Sequence, residues 1–150
     1  MVDCEILLVE DNPDDEALAL RAMRKILPGV EILVARDGVE ALDYLFCIGS
    51  PSEQTQATPP KVILLDLKLP KIDGLEVLRR IRSDERTRLI PVVVFTSSRE
   101  KNDLAESYRL GANAYVRKPV NFDEFSITVN NIVAFWLHTN ENPCEWRKSK

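Results

Sequence analysis

Five short apolar runs divide the chain, with amphipathic stretches between them. Strands that are apolar along their whole length are typical of parallel sheets, which are buried on both faces. The intervening helices would supply right-handed crossovers covering both sides. The pattern predicts an α/β fold, a doubly wound sheet of five parallel strands with five helices. The predicted strands are 5–9, 31–35, 62–66, 91–95 and 114–116, and the predicted helices are 13–27, 39–46, 74–83, 100–110 and 122–138.

Local signals place several boundaries. Asn12 is a good N-cap residue and Pro13 suits a first helical position, so a helix is predicted to begin there. The polar stretch 49–60 separates segments too short to be independent domains, and we interpret it as a surface loop. We therefore expect one domain over 1–138 and a loose polar tail over 139–150 with no output domain.

The overall composition excludes several classes of function. A net charge of −4 and an isoelectric point near 5.1 argue against nucleic-acid binding, which normally needs a basic surface. Three widely spaced cysteines without a CxxC pair, together with one histidine, argue against a zinc site. No signal peptide and no membrane-spanning apolar run are visible. We expect a reduced, cytoplasmic protein that does not contact a membrane.

Polar residues follow four of the five predicted strands. In open parallel sheets, ligands bind at the carboxyl ends of the strands. Taken singly, these residues have ordinary explanations as helix cap, turn residue, strand end and surface lysine. Their joint occurrence at one sheet edge favours a site. The residues are Glu10 and Asp11 after the first strand, Asp66 after the third, Thr96 after the fourth and Lys118 after the fifth.

The charges of this group indicate its chemistry. Three neighbouring carboxylates repel one another unless a cation joins them. Hard oxygen ligands suit Mg²⁺, which typically takes one or two carboxylates plus phosphate oxygens. An ionised carboxylate can also be a nucleophile toward a phosphoryl group, whose oxygens Lys118 and Thr96 could hold. The group therefore predicts an aspartyl phosphate beside a magnesium ion.

These residues resemble the receiver domain of two-component response regulators over about 4–137. The resemblance implies a flavodoxin-like sheet of strand order 2-1-3-4-5 and a phospho-acceptor, not an enzyme with a separate substrate. Asp66 stands at the phosphorylated position. The resemblance is carried by VEDN at 9–12, LLDLKLPKIDG at 64–74, FTS at 95–97 and GANAYVRKP at 111–119.

The same resemblance assigns roles around Asp66. Glu10 and Asp11 match the acidic pair that helps hold Mg²⁺, with Asp11 and Asp66 as direct ligands and the backbone carbonyl of Lys68 as a third. Thr96 matches the hydroxyl that bonds the phosphoryl group. Lys118 matches its lysine partner, and the bond from Lys118 to Pro119 is expected to be cis. Tyr115 matches the aromatic that turns inward when Thr96 moves, although an ordinary strand aromatic would also fit.

A finer resemblance concerns the partner. The lead-in at 10–25, the loop at 49–60, RKPVNFDEF at 117–125 and FWLHTNENP at 135–143 are similar to single-domain regulators of cyanobacterial and bacterial phytochromes. This implies a phytochrome-like sensor histidine kinase as phosphodonor. Phe135 and Leu137 flank the apolar stripe of the last helix. They form a homodimer face through helix four, strand five and helix five, or they cover the protein's own edge, or the tail folds back on them.

Three other functions stay as alternatives. One is a receiver fold that binds partners without phosphorylation. The presence of Asp11, Asp66, Thr96 and Lys118 argues against it, because such a module would not need them. A phosphatase of the haloacid dehalogenase type has a DxD motif, in which the first Asp is the nucleophile and the second is an acid two positions later. In this sequence Asp66 would be the nucleophile, and Lys68 occupies the position of the acid. A flavodoxin-like nucleotide-binding protein would need a Gly-rich loop after the first strand, where EDNPDD would instead repel phosphate in the absence of a metal ion.

Overall fold

The computed structural model describes residues 4–47 and 59–144. Strands and helices alternate throughout. They are β1 Ile6–Val9, α1 Pro13–Ile26, β2 Ile32–Ala35, α2 Gly38–Cys47, β3 Val62–Leu65, α3 Gly74–Ser83, β4 Val92–Thr96, α4 Lys101–Arg109, β5 Ala114–Arg117 and α5 Phe122–Ala134, followed by a π-helical turn, Phe135–Thr139.

The five strands form one parallel sheet in the order β2-β1-β3-β4-β5. The predicted fold class and strand order are confirmed. Because β1 lies between β2 and β3, the chain reverses its winding direction there. The carboxyl ends of β1 and β3 are therefore adjacent at the reversal point, where open sheets bind their ligands.

Two apolar clusters sandwich the sheet, one on each face. Side chains of a strand alternate between them: Leu7 and Val9 pack with α2 and α3, whereas Ile6 and Leu8 pack with α1 and α5. All four residues of β1 are buried. Helix α4 is different, because Ser107 is its only buried residue. Among the described helices, none combines the length and apolarity needed to cross a bilayer.

The segment after α5 differs from the expected loose tail. Asn142 is buried and its Oδ1 accepts the N–H of Cys144 at 2.9 Å, while Cys144 packs against the cluster under α2 and α3. Residues 139–144 of the predicted tail therefore make contacts with the domain, while its boundary at 138 stays a prediction. Residues 145–150 of the tail and residues 49–58 of the predicted loop lie outside the described residues.

Candidate functional site

The predicted acidic residues meet at the carboxyl edge of the sheet. Carboxylate oxygens of Glu10, Asp11 and Asp66 all lie within 4.8 Å of one another. Glu10 and Asp66 are buried and Asp11 is exposed. The three residues directly follow β1 and β3, so their proximity comes from the pairing of these strands.

The backbone continues the sheet pairing beyond the strand ends. The N–H of Asp66 donates to the carbonyl of Val9 at 3.1 Å, and the N–H of Lys118 donates to the carbonyl of Thr96 at 2.8 Å. The side chains of Asp66 and Lys118 are therefore attached to backbone positions that hydrogen bonds to a neighbouring strand hold in place. A site built in this way is more rigid than one built on a free loop.

Lys118 is the centre of the site. Its Nζ lies 2.5 Å from Glu10 Oε1, 2.8 Å from Asp15 Oδ2 and 3.0 Å from Asp66 Oδ2. The Lys118 side chain is only 5% exposed. An ammonium taken out of water in this way needs several acceptors, and three carboxylates supply them.

The charges of the site are not balanced. Four carboxylates, those of Glu10, Asp11, Asp15 and Asp66, surround the one ammonium of Lys118. Burial, with the charge of Asp66, raises the pKa of Glu10 to about 7 despite its bond to Lys118. Burial alone would lower the pKa of Lys118, but hydrogen bonds to Asp15 and Glu10 and the charge of Asp66 outweigh it and raise that pKa. The surplus negative charge favours a further cation.

The donor set fits a hard divalent cation. It offers carboxylate oxygens from Asp11 and Asp66, with Glu10 within reach, and these are the ligands that Mg²⁺ and Mn²⁺ take in proteins. Lys68 lies at the same opening, where its N–H approaches Asp66 Oδ1 at 3.4 Å, while its side chain is exposed. The backbone N–H of Lys68 thus lies beside the Asp66 carboxylate, and the role of the Lys68 carbonyl as a metal ligand stays a prediction.

A cavity of about 410 Å³ opens beside Asp66. Its lining includes Asp11, Lys68, Thr96 and Lys118, so the structure brings the predicted phosphoryl-binding groups together. The cavity therefore presents a nucleophilic carboxylate, an ammonium and a hydroxyl to one small space. Such a combination can hold the oxygens of a phosphoryl group.

Thr96 and Tyr115 are linked through Ser98. Thr96 is fully buried, and its Oγ1 accepts the N–H of Ser98 at 3.3 Å. The half-buried Tyr115 donates its hydroxyl to the carbonyl of Ser98 at 3.3 Å. Thr96 and Tyr115 therefore contact the same residue, and the inward turn of Tyr115 when Thr96 moves stays a prediction.

Gly74 holds the loop after Asp66 against the sheet. Its N–H donates to the carbonyl of Leu67 at 2.8 Å, and a Cβ on Gly74 would overlap the carbonyl oxygen of Asp66. The requirement for glycine here comes from this close approach, and not from a positive φ. Asp73, just before it, caps α3 by accepting the N–H of Glu76 at 2.9 Å.

Two details differ from the expectations. No peptide bond in the described part of the chain is cis, so the expected cis bond before Pro119 is wrong; trans is the lower-energy form by about 0.5–1 kcal/mol. Leu137 is half-buried against the cluster between the sheet and α5, whereas Phe135 is 47% exposed. Leu137 thus covers the protein's own edge, and only Phe135 is available on the surface.

Asp15 is the site residue that the sequence reasoning missed. It lies in the first turn of α1, where acidic residues are explained by the helix dipole, and Asn12 accepts its N–H at 3.1 Å. The sequence carries no signal that separates Asp15 from Asp14, because both are acidic residues of the same first turn.

Comparison with known proteins agrees with this geometry. Residues 6–130 match the family model of the response regulator receiver domain. The probable methanogenesis regulatory protein FilR2 of Methanothrix harundinacea (strain 6Ac) is 43% identical over 138 residues, covering 92% of this chain and 86% of FilR2. Response regulator Rcp1 of Synechocystis sp. (strain ATCC 27184 / PCC 6803 / Kazusa) is 39% identical over 134 residues, covering 89% of each chain.

Solved structures give the same relationship. The phosphorylated cyanobacterial phytochrome response regulator RcpA is 39% identical with a TM-score of 0.84, covering 95% of this chain and 99% of RcpA. The Mn²⁺-bound form of Rcp1 is 38% identical with a TM-score of 0.82, covering 92% of this chain and 97% of Rcp1. The chain therefore belongs to the response regulator receiver domain family of two-component systems and is homologous to phytochrome response regulators.

Proposed function

We propose that this protein accepts a phosphoryl group on Asp66 from a phosphohistidine of a sensor histidine kinase, with Mg²⁺ in the acidic cluster. The observation that carries the proposal is the meeting of Asp66 with Lys118 at 3.0 Å inside the cavity that Thr96 also lines. Glu10 and Asp11 supply the remaining carboxylates. The Mn²⁺-bound Rcp1 and phosphorylated RcpA structures support both parts of the proposal by homology.

The residues divide the work of transfer. A carboxylate oxygen of Asp66 attacks phosphorus, the P–N bond of the phosphohistidine breaks, and its electron pair returns to the imidazole. Lys118 and the Thr96 hydroxyl bind oxygens of the transferred group. Glu10, Asp11, Asp66 and the carbonyl of Lys68 would hold Mg²⁺, which offsets the charge of the incoming phosphoryl group. Uptake of the phosphoryl group and later hydrolysis of the aspartyl phosphate are the only reactions that we propose for this protein.

The proposed phosphodonor is a phytochrome-like histidine kinase. Homology to RcpA and Rcp1 supports this choice, since RcpA is a cyanobacterial phytochrome response regulator. The proposed location is the cytoplasm, and the free thiols of Cys4 and Cys47 are consistent with it.

The proposed output is a protein contact through α4, β5 and α5. Thr96 and Tyr115 connect the site to this face, with β5 at the open edge of the sheet. Large apolar side chains are exposed on both helices, which supports a homodimer there. They are Leu104 and Tyr108 on α4, Ile127 on α5 and Phe135 just after it.

The second candidate is a receiver fold that binds partners without phosphorylation. It predicts no covalent labelling, whereas the first candidate predicts Mg²⁺-dependent labelling by radiolabelled acetyl phosphate. Asp66→Asn should abolish that label without altering the far-ultraviolet circular dichroism. Asp43→Asn, an exposed acid on α2, is the matched control and should label like the wild type. Label that survives in Asp66→Asn would remove Asp66 from its role.

A further inference from the structure

Asp15 gives Lys118 a third carboxylate that the proposed reaction does not use. Two of the three acids at Nζ, Glu10 and Asp66, come from strand ends, whereas Asp15 comes from α1. Asp15 also lines both openings beside the lysine, the 410 Å³ cavity at Asp66 and a second cavity of about 300 Å³ toward Pro119. It therefore stands at the entrance through which a phosphoryl group would approach Lys118.

The ammonium has no donor to spare. It carries three N–H groups, and three carboxylates lie within ion-pair distance of it. A phosphoryl oxygen on Asp66 would therefore compete for these donors with the carboxylates that now hold them.

Exposure shows which partner can leave. The Glu10 side chain is 3% exposed and has no route to water, and Asp66 would itself carry the phosphoryl group. The Asp15 side chain is 24% exposed and can turn outward at a small cost in solvation.

We infer that Asp15 is a positioning residue: it holds Lys118 toward α1 in the unphosphorylated protein and competes with the phosphoryl group for the ammonium. This inference rests on the proposed function of Asp66. Formation of the phosphorylated state breaks the Asp15 contact, and the displaced carboxylate remains as a nearby negative charge that disfavours the phosphoryl group. Asp15 thus lowers the occupancy of the phosphorylated state.

The test compares two neighbouring acids of one helical turn. Asp15→Asn removes the contacting carboxylate, and Asp14→Asn removes an exposed one that contacts no cation within the described residues. Both changes remove one negative charge near the start of α1. With saturating Mg²⁺, fluorine NMR should show that Asp15→Asn binds the phosphoryl mimic beryllofluoride about tenfold more tightly than the wild type, and that Asp14→Asn does not.

A second readout needs neither metal nor mimic. The NMR correlation between the ammonium protons and Nζ of Lys118 should shift or broaden in Asp15→Asn and stay in place in Asp14→Asn. An unchanged Lys118 signal in Asp15→Asn, or equal mimic affinities for the two variants, would overturn the inference. A wild-type protein that does not bind beryllofluoride would instead overturn the proposed function.

Discussion

Nζ of Lys118 lies 3.0 Å from Oδ2 of Asp66, so the ammonium already contacts the carboxylate proposed to receive the phosphoryl group. Lys118 comes from the end of β5 and Asp66 from the end of β3, and β4 lies between these strands. The long lysine side chain reaches over β4, where its Nζ lies 6.0 Å from the ring centroid of Phe95. The contact is therefore part of the folded core as well as of the site.

Removing the lysine should destabilise the protein. Lys118→Ala leaves Glu10 and Asp66 buried without their cation, and such a loss typically costs about 3–5 kcal/mol. Urea unfolding in chelator at neutral pH should show this decrease. Lys68→Ala, which removes an exposed ammonium, should change stability by less than about 0.5 kcal/mol. Adding Mg²⁺ should raise the unfolding midpoint more in Lys118→Ala than in the wild type, and an equal increase would contradict this account.

Glu10 should make stability fall as the pH rises through the weakly acidic range. Its pKa is about 7 in the folded protein against 4.5 for the free side chain. Between these values the folded state binds the proton more tightly than the unfolded state, so the free energy of unfolding decreases with increasing pH. The loss should be on the order of 1–3 kcal/mol and complete above the folded pKa.

The comparison that isolates this effect uses Glu10→Gln, which has no such proton to lose. Urea unfolding in chelator at several pH values from 4.5 to 8 should show the decrease in the wild type and a flatter profile in the variant. Glu85→Gln, which changes an exposed carboxyl after α3, should keep the wild-type profile. A wild-type stability that increases through this range by an amount that Glu10→Gln abolishes would show that the pKa is lowered instead.

Arg82 should be the arginine on α3 that matters for stability. Its guanidinium donates to the carbonyls of Gly111 at 2.8 Å and Ile90 at 2.7 Å, and to Asn113 Oδ1 at 2.7 Å. Arg82→Met removes these hydrogen bonds, although Asn113 Oδ1 keeps the N–H of Val92, and should lower the free energy of unfolding by about 2–4 kcal/mol. Arg82→Lys should recover little, because an ammonium lacks the planar set of donors.

The control for Arg82 lies one turn earlier on the same helix. Arg79 pairs only with Glu76 within the described residues, on an exposed surface, and Arg79→Met should cost clearly less stability than Arg82→Met. Equal losses for Arg79→Met and Arg82→Met in urea unfolding would mean that the long-range hydrogen bonds of Arg82 contribute nothing.

Phe135 should control self-association if the proposed α4–β5–α5 face forms a dimer. Phe135→Asp places a charge among the exposed apolar residues and should shift the protein to a monomer in sedimentation velocity runs, with and without beryllofluoride. Leu89→Asp, at an exposed leucine between α3 and β4, should leave association unchanged. A wild-type monomer at high concentration in both states would end the dimer proposal.

The sequence by itself determined the sheet, the helices and the main site residues. Apolar runs such as 62–65 are removed from water only when both faces of the sheet are covered by helices. This local property of the sequence determined the fold class. Parallel strands end at one edge, so Asp11, Asp66, Thr96 and Lys118 had to lie near one another whatever their exact distances.

Only the tertiary structure decided which side chains from distant segments of the chain contact one another. The ion pair between Asp15 and Lys118 joins residues 103 positions apart, and nothing in the first turn of α1 distinguishes Asp15 from Asp14. The burial of Asn142 and the inward position of Leu137 likewise depend on which surfaces α5 leaves open. Periodicity and capping describe a segment and its immediate neighbours, whereas these contacts exist only after the sheet has brought separate segments together.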